Sequence, residues 1–240
     1  MASSPTGDAV TTGHGHHPRQ QHHFHSMDQQ LEASVLGMWI FLVTEIMFFG
    51  GLFMAYIVYR TMYPTGFEDA SNLLNVPMGA LNTAVLICSS LTMALAVRSA
   101  QVGSRRGQVV NLILTILLGT TFLVVKYFEY AEKFHHGLVP GARFNPMHEL
   151  PDGTLEAVAL PGGGEIFFSL YFIMTGIHAA HMIVGIGLML VILVMAGRGR
   201  FSPQYYGPVE VSGLYWHFVD IVWIFLFPLL YLLGYAAVGH

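Results

Sequence analysis

The chain has 240 residues, of which 54% are hydrophobic and only 10% are charged. A soluble domain carries about 25% charged residues, so this composition predicts several membrane spans rather than one or two soluble domains. The net charge of −4 argues against a basic surface for nucleic acid. The single cysteine, Cys88, excludes an internal disulfide, a CxxC metal knuckle and a CxxCH haem attachment site.

The hydrophobic residues concentrate in five stretches. A hydrocarbon core of about 30 Å needs about 20 apolar residues in a helix, and the stretches that qualify are residues 34–59, 78–97, 109–130, 165–196 and 211–238. Each must be helical, because an open strand would leave backbone groups unpaired in lipid. The prediction is an all-α integral membrane fold, a five-transmembrane-helix bundle over residues 34–240, behind a polar tail of residues 1–33. That tail lacks a basic cluster followed by a short apolar core, so we expect no cleavable signal peptide.

The basic residues near the span ends predict the orientation of the bundle. One side carries Arg19, Arg98, Arg105, Arg106, Arg198 and Arg200. The other side carries Arg60, Lys126, Lys133 and Arg143 among seven acids, which are Glu68, Asp69, Glu129, Glu132, Glu149, Asp152 and Glu156. The first side is the more positive, so we expect the N-terminus in the cytoplasm and the C-terminus outside.

Two segments outside the spans stand out. The tail holds six histidines between His14 and His25, in GHGHHPRQQHHFH. Such a tract can bind a divalent metal, but a disordered tail is the interpretation we favour. The loop of residues 134–164 is long and rich in proline and glycine, which is typical of a segment that is disordered or contacts a partner.

Five ionisable side chains stand out within the predicted spans, away from their ends: Glu45 in the first, His178 and His181 in the fourth, and His217 and Asp220 in the fifth. The His178–His181 pair and the His217–Asp220 pair each have a spacing of three, which places both members on one helix face. Ionisable groups at membrane depth are costly and are therefore candidates for function. On the residues alone, hydrogen bonding between helices is favoured, while a metal or haem site and a proton-transfer role remain open.

Two more polar groups extend this set. Asn82, in the second span, is expected to hydrogen-bond between helices. Glu129 lies four residues before Lys133 in KYFEYAEK, which predicts an ion pair at a solvent-facing helix end.

Five motifs, in order along the chain, resemble subunit III of haem–copper cytochrome c oxidases, in its five-span bacterial form. They are TEIMFFGGLFMAY with Glu45, PMGALNTAVL with Asn82, LTILLGTTFLVVKYFEY with Glu129, FIMTGIHAAHMIVG with His178 and His181, and YWHFVDIVWIFLF with His217 and Asp220. The resemblance covers residues 36–234.

The resemblance implies a non-catalytic subunit that packs against the catalytic one and holds no haem or copper, since these lie in partner subunits. It also implies bound phospholipid, support of proton uptake and protection of the catalytic subunit during turnover. The residues that would form the lipid-facing polar network are Glu45, Asn82, Glu129, His178, His181, His217 and Asp220. The expected partners are oxidase subunits I and II, with subunit IV and a respiratory supercomplex as further candidates, in the bacterial cytoplasmic membrane.

Three alternatives stay open. Quinol could replace cytochrome c as the electron donor of the complex. The chain could instead be a stand-alone membrane haem or metal enzyme using its intramembrane histidines, or a small-solute transporter using Glu45 and Asp220. The sequence also departs from the seven-span form of the family, because two N-terminal spans are replaced by the polar tail. A neighbouring subunit or extra helices on the catalytic subunit are expected to cover the wall those spans normally form.

Overall fold

The computed structural model describes residues 26–141, 144–149, 155–157 and 160–232. Within these residues it contains five helices that are long and apolar enough to cross a membrane, α1 (Met27–Met62), α3 (Val76–Gln101), α4 (Arg105–His135), α5 (Gly164–Gly197) and α6 (Gly207–Tyr231). A shorter helix, α2 (Pro64–Asn72), joins α1 to α3. The predicted all-helical, five-span integral membrane fold is confirmed.

The first helix begins earlier than the apolar pattern indicates. It starts at Met27 rather than at residue 34, because Ser26 caps it by accepting a hydrogen bond from the backbone N–H of Gln29 at 3.1 Å. The histidine tract and the rest of residues 1–25 lie outside the described residues, as do the last residues of the predicted fifth span.

The outer connections contain two elements that the hydrophobic pattern did not predict. Helix α2 begins with Pro64, whose fixed φ suits a first helical turn. It anchors to the bundle through the buried ring of Phe67, which lies edge-on to Tyr56 of α1 and to Phe167 of α5. In the long loop, β1 (Met147–Glu149) pairs antiparallel with β2 (Leu155–Ala157), so a small hairpin accompanies the helical bundle.

Helix α6 is the central helix and α1 is the peripheral one. In the most apolar window of α6, 56% of residues are buried, against 17% in α1. The centre of α6 carries Trp216 and Trp223, both fully enclosed. Trp216 fits only because the facing positions are glycines: a Cβ on Gly119 of α4 would lie 2.7 Å from its ring, and one on Gly185 of α5 would lie 3.0 Å away.

The C-terminal end of α6 is held by side chains from two other helices. The last carbonyls of a helix have no partner within it. Here the Tyr56 hydroxyl of α1 donates to the Leu229 carbonyl at 2.5 Å, and the Ser71 hydroxyl of α2 donates to the Leu230 carbonyl at 2.9 Å. These bonds fix the three helices together at the end of the bundle that carries the hairpin.

Candidate functional site

Glu129 lies at the centre of a buried polar cluster. Its Oε2 is 3.0 Å from Nζ of Lys126, and its Oε1 accepts hydrogen bonds from the hydroxyls of Tyr171 at 2.9 Å and Tyr231 at 2.5 Å. The ammonium group of Lys126 also donates to the Tyr231 hydroxyl at 2.7 Å and lies 4.7 Å from the ring centroid of Trp223. The cluster therefore joins α4, α5 and α6 through charge-assisted hydrogen bonds.

The predicted pairing of Glu129 with Lys133 at a solvent-facing helix end is wrong. Glu129 and Lys133 are both fully buried, and Glu129 pairs with Lys126 instead. Nζ of Lys133 donates to the backbone carbonyl of Leu73 at 2.8 Å, with Glu132 as its acidic neighbour at 3.5 Å. Lys133 bonds to Leu73 instead of Glu129, because the carbonyl groups at the C-terminal end of α2 have no partner within that helix.

Glu45 and His181 form the second charged contact, between α1 and α5. Oε2 of Glu45 lies 3.2 Å from Nε2 of His181, and each side chain keeps about a fifth of its surface exposed (19% and 20%). Nδ1 of His181 donates to the carbonyl of Ile177 at 2.9 Å, so Nε2 carries no proton if the ring is neutral. A hydrogen bond between Nε2 and Oε2 then requires one proton, on an imidazolium facing a carboxylate or on a carboxylic acid facing a neutral imidazole.

His217 and Asp220 share a helix but do not bond to each other. Nδ1 of His217 lies 2.7 Å from the hydroxyl of Ser90 on α3. Asp220 is 2% exposed, and neither of its carboxyl oxygens makes a hydrogen bond of normal geometry with a described residue.

His178 and Asn82 are buried without hydrogen bonds among the described residues. The His178 ring packs against Phe122 and Trp223, with both centroid distances at 5.3 Å. An unpaired buried polar group costs about 1–3 kcal/mol, so these two positions weaken the bundle unless something satisfies them.

The predicted site residues therefore do not converge on one centre. Among the described residues, no group of three or more His, Cys, Asp or Glu side chains is placed to hold a metal. The three intramembrane histidines have separate surroundings: the rings of Phe122 and Trp223 enclose His178, His181 is bonded at both nitrogens, and Nδ1 of His217 is bonded to Ser90. This donor set does not fit haem or copper.

Sequence reasoning missed the residues that complete these contacts, namely Lys126, Tyr171, Tyr231 and Ser90. Lys126 could have been identified from the sequence, because it lies within the third predicted span. It was counted only toward the charge of one membrane side. The rule that flags Glu45 as an ionisable group at membrane depth applies equally to Lys126.

A sequence model of one protein family, described as cytochrome c oxidase subunit III, matches residues 19–137 and 159–235. The chain belongs to the cytochrome c oxidase subunit III family. The match includes all six helices, and it confirms the family that the five motifs indicate. As subunit III of a haem–copper oxidase, the chain is an integral membrane protein and part of an oxidoreductase complex with other oxidase subunits.

Curated relatives of this subunit III carry two different names. A protein of Corynebacterium diphtheriae named cytochrome c oxidase subunit 3 is 34% identical over 82% of this chain and 86% of its own length. A protein of Bacillus subtilis named quinol oxidase subunit 3 is 32% identical over 87% of this chain and 92% of its own length. A protein of Thermostichus vulcanus, named cytochrome c oxidase subunit 3, is 30% identical over 95% of this chain and 94% of its own length.

Proposed function

We propose that this chain is a non-catalytic subunit of an aerobic terminal oxidase that reduces oxygen to water and pumps protons. Oxygen reduction takes place at haem and copper in the catalytic partner, and cytochrome c is the electron donor. The Corynebacterium and Thermostichus relatives support this donor by their names. The Bacillus relative supports quinol as the alternative, because it is named as a quinol oxidase subunit at similar identity.

The proposal rests on one observation: the intramembrane ionisable groups form separate pairs and do not converge. Glu45 pairs with His181 between α1 and α5, and Glu129 pairs with Lys126 where α4, α5 and α6 meet. A catalytic metal centre needs its ligands to converge, whereas separate pairs bridging different helices set the relative positions of those helices. The polar network formed by the predicted site residues thus has a structural role.

The Glu45–His181 pair is also suited to support proton uptake. It holds one exchangeable proton, and His181 lines a groove of about 470 Å³ between α1 and α5 together with Met38, Phe41 and Tyr215. A pair that takes up and releases a proton can assist a catalytic partner without taking part in oxygen chemistry.

A second groove is suited to phospholipid. It has a volume of about 440 Å³ and lies between α1 and α6, with walls that include Trp39, Phe49, Phe53 and Phe225 and with His217 among its lining residues. Both helices are membrane-spanning, so hydrocarbon surrounds the groove. An acyl chain fits its apolar walls, and lipid retained there would help to hold α1 against the bundle.

We place the subunit in a bacterial cytoplasmic membrane with its N-terminal end in the cytoplasm and its C-terminal end outside. The bacterial relatives support the location, and the arginines at the ends of α3, α4 and α5 support the orientation. Subunits I and II are the proposed neighbours, with subunit IV and a respiratory supercomplex as further partners. The polar segment of residues 1–25 lies on the cytoplasmic side in this proposal.

Removal of this subunit from the purified oxidase tests the proposal. We expect the remaining complex to keep its haem spectrum and its initial rate of oxygen reduction, but to lose activity sooner during turnover. Metal analysis and an optical spectrum of the isolated subunit provide the second measurement. Stoichiometric iron or copper, or a haem absorption band, in the isolated subunit would refute the non-catalytic role.

A further inference from the structure

Three methionines of α1 face away from the other helices. Met47, Met54 and Met62 are 73%, 62% and 60% exposed, and their spacings of seven and eight residues place them on one face of the helix. We call this surface the methionine face. It is open between Met47 and Met54, because a Cβ placed on Gly51 would meet no atom within 4 Å. The methionine face is therefore turned toward the hydrocarbon of the membrane.

Methionine has the opposite placement in the rest of the bundle. On α5, Met174, Met182 and Met189 recur with spacings of eight and seven residues, and all three are fully enclosed. The large exposed apolar side chains of α3, α4, α5 and α6 are leucine, isoleucine, valine, phenylalanine and tyrosine, with no methionine among the described residues. Among the described helices, α1 alone presents strongly exposed methionine to the outside, and α5 uses methionine for internal packing.

The methionine face reaches from the end of the span into the hydrocarbon. Met62 is the last residue of α1, two residues after Arg60. From the helical rise, Met54 and Met47 lie roughly 12 and 22 Å further along the helix, which is well inside a hydrocarbon core of about 30 Å. A reagent dissolved in the membrane can therefore reach all three methionines, whereas a reagent confined to water meets Met62 first.

A thioether differs from the aliphatic side chains on the other spans in one chemical property, because oxidants convert it to a sulfoxide. We propose that the methionine face is an oxidation site that reduces hydroperoxides dissolved in the membrane. The sulfur attacks the terminal oxygen of the hydroperoxide, an S–O bond forms and the O–O bond breaks. The proton of the transferred oxygen passes to the leaving oxygen. The sulfur thus loses two electrons, and the hydroperoxide is reduced to an alcohol, or to water if it is hydrogen peroxide.

The position of the methionine face limits the damage that its oxidation causes. A sulfoxide is polar and disrupts a packed core, but these three side chains lie mostly outside the contacts of α1 with α5 and α6. The face therefore consumes hydroperoxide while the helices stay packed, which protects the enclosed methionines and the neighbouring subunits. The source of the peroxide rests on the proposed function, because it requires an oxygen-reducing neighbour; the reactivity of the face does not.

The first test uses the assembled oxidase in lipid nanodiscs, treated either with cumene hydroperoxide, which dissolves in the membrane, or with hydrogen peroxide in the water. Peptide mass spectrometry measures the sulfoxide at each methionine. With cumene hydroperoxide we expect Met47 and Met54 to oxidise at least about tenfold faster than Met182 and Met189, whereas hydrogen peroxide should oxidise Met62 first. Equal rates on α1 and α5 would overturn the proposal. Oxidation confined to Met62 with both reagents would also overturn it, as would no oxidation of α1, the result expected if a partner subunit covers the face.

A variant without the three thioethers tests the protective role. It carries Met47→Leu, Met54→Leu and Met62→Leu. Leucine keeps the apolar surface and the helix preference, so the variant should assemble with the haem content and initial rate of the wild type. Under cumene hydroperoxide it should accumulate more oxidised residues in the partner subunits and lose activity sooner. The matched control changes other exposed residues of the same helix face, Ile40→Leu, Val43→Leu and Val58→Leu, and should behave as the wild type does. Equal lifetimes of the methionine variant and the wild type would overturn the protective role.

Sustained oxygen turnover without added peroxide tests the source of the hydroperoxide. The sulfoxide at Met47 and Met54 should increase with the amount of oxygen consumed. Its absence would overturn the protective role even where added hydroperoxide reacts with the face. Metal bound in the isolated subunit would refute the proposed function but would not change the reaction with added hydroperoxide, so the two failures are distinguishable.

Discussion

Lys126 and Glu129 form an ion pair inside the bundle, with Nζ and Oε2 separated by 3.0 Å and both side chains almost completely removed from solvent. Burial of two charges is costly, and it is tolerated here because Tyr171 and Tyr231 complete the hydrogen bonds of the carboxylate. The position of α4 in the bundle therefore depends on α5 and α6, whose tyrosine hydroxyls donate to Glu129.

Replacing one member of this pair should be more damaging than replacing both. Lys126→Met leaves Glu129 charged and without a cation, which should cost about 3–5 kcal/mol of stability. Adding Glu129→Gln removes the isolated charge and should restore most of that loss, because both tyrosines can still donate to the amide oxygen. The measurement is the temperature at which the subunit dissociates from the purified oxidase. A double variant as unstable as Lys126→Met alone would show that the charge pair does not hold this region together.

A glycine pair provides a matched test of helix packing around Trp216. Gly119→Ala should destabilise the bundle by about 1–3 kcal/mol, because the new Cβ would lie 2.7 Å from an enclosed indole ring. Gly187→Ala, on α5 with no neighbouring atom within 4 Å, should be neutral or slightly stabilising since alanine favours helix. Thermal dissociation of the two variants gives the comparison, and equal losses would mean that the close approach at Gly119 does not determine the packing.

The two histidines of α5 should respond differently to the same substitution. His178→Leu removes a buried ring that makes no hydrogen bond to any described residue, so the assembled complex should keep its stability and haem content. His181→Leu leaves Glu45 without its imidazole partner, so the contact between α1 and α5 should weaken. Subunit retention during purification distinguishes them. A severe defect in His178→Leu accompanied by loss of metal would instead support a ligand role.

The spans and the family could be predicted from the sequence because each depends on long runs of residues. Five apolar stretches are sufficient to predict five helices, since backbone groups in lipid have no other partners. The start of α1 at Met27 was missed because polar residues can extend a capped helix beyond the hydrocarbon. Helix α2 was missed because its nine residues carry too few apolar positions for a clear period.

Contacts between helices were less predictable. Lys126, Glu129 and Lys133 recur at a spacing that places all three on one helix face, and local rules allow Glu129 to pair with either lysine. Contacts with distant parts of the chain decide which lysine pairs with Glu129. Lys133 donates to the carbonyl of Leu73, and two tyrosines donate to Glu129 beside Lys126. Likewise the sequence places Glu45 and His181 at membrane depth, but only the packing of α1 on α5 makes them partners.

The proposed role of the Glu45–His181 pair is tested most directly by Glu45→Gln in the assembled oxidase, with the rate of oxygen reduction followed from the first turnover. Glutamine keeps the size of the side chain and can still hydrogen-bond to His181, but it cannot exchange the proton that Glu45 and His181 hold between them. The proposed role predicts a normal haem spectrum, oxygen reduction from the first turnover at a reduced rate, and a faster loss of activity during sustained turnover. A fully assembled Glu45→Gln oxidase with normal haem content and no activity at the first turnover would contradict it.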